Sequence, residues 1–189
     1  QCGLSLLLSD ASRADALGPL RPSWSRVGGS AFHLAVESIE RAALDLGGAA
    51  PDLREWPDGF WDDALDSAID AESEKLAGTP YEDRETWHVA NGGREGYDWW
   101  RVEGLDMVKR YVAFHDDAWR STHTLLRLPD LTAAPGTYLP VLEWAFDVSA
   151  GSTAIKDVGF VDQAWTTFEQ GQKVATIDIH DLKAGKSKP

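Results

Sequence analysis

Apolar positions recur at steps of three and four through Phe32, Val36, Ile39, Ala43 and Leu46, the spacing of one face of a helix. With Ser30 as N-cap and Gly47-Gly48 as a left-handed stop, the pattern predicts a helix over 31–46. Residues 17–30, which carry Pro19, Pro22 and the pair Gly28-Gly29, read as extended. A loop over 47–57 leads to a second helix over about 60–77. Trp61, Leu65, Ile69 and Leu76 share one of its faces, Asp58 is a candidate cap, and Gly78 and Pro80 end it.

Beyond Pro80 the pattern reads as period two with regular turn signals. Residues 85–90, the turn Asn91-Gly92-Gly93 and residues 97–103 are expected to form a hairpin. Residues 107–116, rich in β-formers (Val108, Tyr111, Val112, Phe114), read as a strand turning at Asp116-Asp117 into 119–128; a helix over 105–126 is the competing reading. A loop over 129–136 precedes a strand over 138–148. Further strands are expected over 154–161, 164–169 and 172–180, with a frayed tail over 183–189.

Helices followed by antiparallel strands define an α+β class: two N-terminal helices packed on a curved antiparallel sheet formed by the C-terminal half. The chain is expected to be a single domain over 1–189, with an extended segment (1–29), a helical part (30–78) and a sheet part (85–182). Its 189 residues are enough to bury a core without a disulfide or a structural metal. One cysteine excludes an intrachain disulfide, and no run of about 18 apolar residues is present to span a membrane.

The net charge of −13 repels phosphate backbones, so direct nucleic-acid binding is not expected. The acid is concentrated early: residues 1–100 hold 19 acids against 8 bases, residues 101–189 hold 12 against 10. On the second helix Asp62, Asp66, Asp70 and Glu74 fall at four-residue spacing and form one carboxylate ridge, with Asp63 and Glu72 at its edge. Like charges so placed disfavour a helix by about 0.2–0.5 kcal/mol per pair, which burial of the opposite face offsets. The chain starts at Gln1 without methionine; the expectation is a soluble protein, cytoplasmic or exported after processing, with a lipid-anchored Cys2 as a minor alternative.

The chemistry-bearing motifs are sparse: HExxH, CxxC, Walker A, GxGxxG and GxSxG are all missing. His88 followed by His115-Asp116 resembles, over three residues, the ligand order of HD-type metal phosphohydrolases. That resemblance implies a metal-dependent hydrolase using His88, His115 and Asp116; otherwise His115 and Asp116 end a strand and cap a turn. Nine tryptophans offer stacking surfaces. Strand alternation would place one of Trp99 and Trp100 on an open sheet face, in a row with Trp87 or Trp119, suited to a protein or a carbohydrate. The expected function is a non-catalytic, cofactor-free interaction module (inhibitor, immunity-type or assembly protein). Asp62, Asp66, Asp70, Glu74, Trp99 and Trp100 would engage a basic protein surface.

Overall fold

The computed structural model describes residues 21–49, 57–130, 132–149, 156–167, 176–180 and 182. Cys2 and the tail over 183–189 lie outside the described residues, as do the expected strand positions 172–175. The class is α+β, with helices first and antiparallel strands after them.

Helix α1 spans Trp24–Asp45, beginning seven residues before the predicted start. Its cap is Ser23, whose hydroxyl accepts from the Arg26 N–H, rather than Ser30. The first turn is also pinned from outside, because the Trp24 N–H donates to the His88 carbonyl and the His88 N–H to that of Pro22. Gly28 and Gly29, read from the sequence as breakers, lie inside the helix. Its buried positions, Val27, Gly28, Ala31, Phe32, Ala35, Val36, Ile39, Glu40 and Ala43, follow the three–one rhythm of a core-facing stripe. Gly47 and Gly48, both at positive φ, end it as expected.

Helix α2 spans Pro57–Leu76 and buries Trp61, Ala64, Leu65, Ala68, Ile69 and Leu76. Helix α3 spans Leu105–Phe114, and α4 Asp117–Thr122. A helical turn over Tyr97–Trp99 and one π turn over Trp100–Gly104 run directly into α3. The strand expected over 107–116 is therefore a helix, and so is the one expected over 97–103. Trp100, Gly104, Met107, Val108, Tyr111, Val112 and His115 are buried at helical spacing, and this stripe overrides the β-propensity of the individual residues. Asn91, Gly92 and Gly93 do make a left-handed reversal, closed by a single bridge between Ala90 and Glu95 rather than by a hairpin. Residues 84–86 are a 3-10 turn.

Two glycine–tryptophan contacts set the helix packing. A Cβ on Gly28 of α1 would lie 2.0 Å from the Trp100 ring, and one on Gly104 equally close to Trp61 of α2. The π turn contains both Trp100 and Gly104, so it presents an indole to one helix and a bare backbone to the indole of the other. The Trp61 indole N–H donates to the Arg101 carbonyl at 3.1 Å. The principal core is thus built among helices, from α1, α2, the π turn and α3.

The strands are β1 (His123–Leu125), β2 (Arg127–Pro129), β3 (Tyr138–Pro140), β4 (Leu142–Ser149), β5 (Lys156–Thr167) and β6 (Thr176–His180). The two strands expected over 154–161 and 164–169 are joined in one, β5. Residues 142–149 of β4 pair with 156–163 of β5, and β1 pairs with 165–167. Because β6 pairs with 163–167, β1 and β4 follow one another along one edge of β5 and β6 occupies the other. Between them β2 and β3 pair with each other. Three segments meet in a cyclic junction: the Leu126 N–H donates to the Ala164 carbonyl at 2.8 Å, that of Ala164 to Val141 at 3.3 Å, and that of Val141 to Leu126 at 2.8 Å. The sheet meets the helices through a smaller cluster, Leu125, Leu142 and Trp165 against Leu44 of α1.

Candidate functional site

The polar centre of the molecule lies where the C-terminal half of α1, the end of α3, α4 and β5 converge. Glu40 sits on the apolar face of α1, one turn after Val36 and one before Ala43, and is almost wholly buried. Its carboxylate receives two hydrogen bonds from Arg120, Nη1 to Oε2 at 2.8 Å and Nη2 to Oε1 at 2.7 Å, and a third from the Tyr111 hydroxyl at 2.8 Å. Gln163 Nε2 donates to that hydroxyl at 2.7 Å, and the Trp165 indole N–H to Gln163 Oε1 at 3.2 Å. The Arg120 Nε–H donates to the His115 carbonyl at 2.7 Å, and the guanidinium lies 5.7 Å from the centre of the Trp165 ring. A buried charge pair is stable only when its polar atoms also find hydrogen bonds, and this chain of bonds supplies most of them while tying helix to sheet.

Burial, reinforced by the Glu40 charge, pushes the Tyr111 phenol well above its ordinary pKa, so it remains a donor. For Arg120, burial would lower the pKa; the Glu40 hydrogen bonds and charge outweigh it and raise the value. His115, also buried, contacts the Tyr111 carbonyl through Nδ1 at 3.0 Å, which makes Nδ1 the protonated nitrogen of the neutral ring. Its Nε2 has no hydrogen-bond partner among the described residues. Burial lowers its pKa to about 4, against the smaller opposing effects of the Tyr111 carbonyl and Glu40. Its ring lies 5.4 Å from Trp165, 5.3 Å from Trp119 and 5.7 Å from His180. Burial lowers the His180 pKa as well, with Asp178 opposing.

A cavity of about 230 Å³ opens beside this network, between the end of α1 and β1–β2. Its walls include the buried side chains of Arg120, Glu40 and Trp165 and the more exposed Leu44, His123 and Arg127.

The residues singled out in the sequence are distributed differently. His88 is exposed beside the start of α1, whereas His115 is buried at the end of α3. Asp116 is exposed and caps α4 by accepting the Trp119 N–H at 2.9 Å, so the pair 115–116 ends one helix and starts another rather than ending a strand. Among the described residues, no group of three or more His, Cys, Asp or Glu side chains is arranged to hold a metal ion. Trp99 and Trp100 lie on the helical run before α3 instead of on a sheet. Trp100 is in the core and Trp99 is half-buried. Trp87 is buried, its indole N–H donating to the Tyr81 carbonyl, and Trp119 is half-buried, stacked on His123 with 3.5 Å between ring centres. The open row of sheet indoles is thus replaced by internal packing. Asp62, Asp66, Asp70 and Glu74 are all exposed on α2, as the helical spacing requires. Glu72 is instead turned inward and paired with Arg26 of α1.

The sequence reading missed Glu40, Tyr111, Arg120 and Gln163. Glu40 had a legible signal, a carboxylate in the middle of an apolar helix stripe. The other three become recognisable only once Glu40 is known to need partners. Protein-family models, curated proteins and solved structures provide no match to this chain. Among the described residues no helix is long and apolar enough to cross a membrane.

Proposed function

We propose that the chain is an acidic protein-interaction module, non-catalytic, whose α2 ridge engages a basic surface on a partner protein. The observation that carries this reading is the state of the four carboxylates. Asp62, Asp66, Asp70 and Glu74 are exposed along a helix of 20 residues, and none has an ion pair or side-chain hydrogen bond among the described residues. Repulsion at this spacing costs the free chain about 0.2–0.5 kcal/mol per step, and a partner's lysines or arginines would relieve it. A row of one sign also steers encounter, which makes association steeply dependent on salt.

Apolar contact at the rim falls to different residues from those expected. With Trp100 in the core, Val102, 61% exposed, offers apolar surface beside the Trp61 end of α2. The carbohydrate reading has less support, because Trp87 and Trp100 are spent on internal packing and Trp99 and Trp119 are half-buried.

The test is capture of partners from native extract by the immobilised chain, repeated with Asp66→Lys/Asp70→Lys. The expected result is a salt-sensitive partner lost on charge reversal while the melting temperature is unchanged or slightly raised. Undiminished capture by the reversed variant would overturn the proposal.

A further inference from the structure

We propose that the cavity between the end of α1 and β1–β2 binds a small organic anion, a carboxylate or phosphate on a single apolar ring. The site is separate from the α2 ridge. At about 230 Å³ the space is smaller than the roughly 300–1,000 Å³ of sites for drug-sized ligands, which limits the occupant to about one ring and its charged group.

The sign of the ligand follows from the charged residues at the walls. They are Glu40, Arg120 and Arg127, a formal balance of +1 in a chain whose total is −13. The Glu40 carboxylate is paired with Arg120 through two guanidinium N–H groups and also accepts from a phenol, so those two formal charges offset one another and the positive balance of the walls is carried by Arg127. Arg120 carries five N–H donors, of which three are committed to Glu40 and the His115 carbonyl. Arg127 is exposed and has neither an ion pair nor a side-chain hydrogen bond among the described residues. A bidentate oxyanion suits a guanidinium better than any other small acceptor. Trp165 and Leu44, also in the lining, supply apolar surface for the ring.

The test is titration of the full ¹⁵N-labelled chain with phenyl phosphate and benzoate, against benzyl alcohol and benzylamine as neutral and cationic counterparts. The expected result is saturable binding of the two anions, with shifts confined to the Gly47, Gly48 and Thr124 amides and the Trp165 indole. The alcohol and the amine should bind at least about tenfold more weakly. Arg127→Ala should weaken anion binding about tenfold or more, Arg127→Glu should abolish it, and both variants should fold because residue 127 is exposed. No shift up to about 10 mM anion, equal binding of the alcohol, or undiminished binding by Arg127→Ala would overturn the proposal.

Discussion

Replacing Gly28 by alanine while leaving its neighbour as an internal control separates helix propensity from packing. Both glycines lie within α1, where alanine is preferred to glycine by about 1 kcal/mol. A Cβ at Gly29 meets nothing within 4 Å, so Gly29→Ala is expected to stabilise by about 0.5–1 kcal/mol. A Cβ at Gly28 would lie 2.0, 2.2 and 2.4 Å from three ring atoms of Trp100. The indole would have to withdraw by about 1.5 Å to reach ordinary contact, yet it is only 3% exposed and lies in the same π turn that holds Gly104 against Trp61. Overpacking of this kind costs about 1–3 kcal/mol or more, exceeding the propensity gain. The propensity gain is common to both, so the two variants should differ by about 1–3 kcal/mol, or roughly 2–12 °C in melting temperature for a chain of this length. Thermal and urea melts followed by circular dichroism at 222 nm would measure the difference. Equal stability of the two variants would refute the packing account, as would a failure of Trp100→Leu to recover part of the loss in the Gly28→Ala background.

Glu40→Gln leaves Arg120 buried without a counter-ion and should destabilise by about 3–5 kcal/mol in urea melts, whereas the paired change Glu40→Leu/Arg120→Leu should recover much of that loss; equal losses would remove the charge pair from the explanation. The folded pKa of His115 lies below its unfolded value of 6.5, so the unfolded chain takes the proton first. Its contribution is intact above about pH 6.5, falls as the pH drops towards about 4, and is constant below that; the full difference is about 3 kcal/mol. His115→Asn should flatten this part of the stability profile relative to the native chain, and an identical pH slope in the two proteins would count against the assignment. On α2, Asp66→Lys/Asp70→Lys should leave the melting temperature unchanged or higher by the relief of about 0.2–0.5 kcal/mol per repulsive step; a marked loss of stability would mean that the ridge is held by contacts of its own.

Periodicity alone determined much of this protein. The stripe from Phe32 to Ala43, the Trp61 face of α2 with its acidic reverse, the Gly47-Gly48 stop and the class of helices followed by antiparallel strands are all local or spacing properties, and each has its counterpart in the structure. Residue preference misleads where it is set against spacing. Val108, Tyr111 and Val112 favour strands individually, but their burial alongside Trp100, Gly104 and Met107 recurs every three to four residues, and a buried stripe outweighs intrinsic preference.

The rest required the third dimension. Gly28 looks like a helix breaker until Trp100, 72 positions later in the chain, is found against it, and Trp100 looks like a surface indole until Gly28 receives it. Glu40 was visible as a carboxylate in an apolar stripe. Its partners Tyr111 and Arg120 lie 71 and 80 residues away, and no local pattern encodes which distant donors converge on a buried charge. Spacing fixes which side of an element faces inward. Only the packed chain decides what it faces, because contacts between distant segments depend on how close two backbones can approach, and that is a property of the pair.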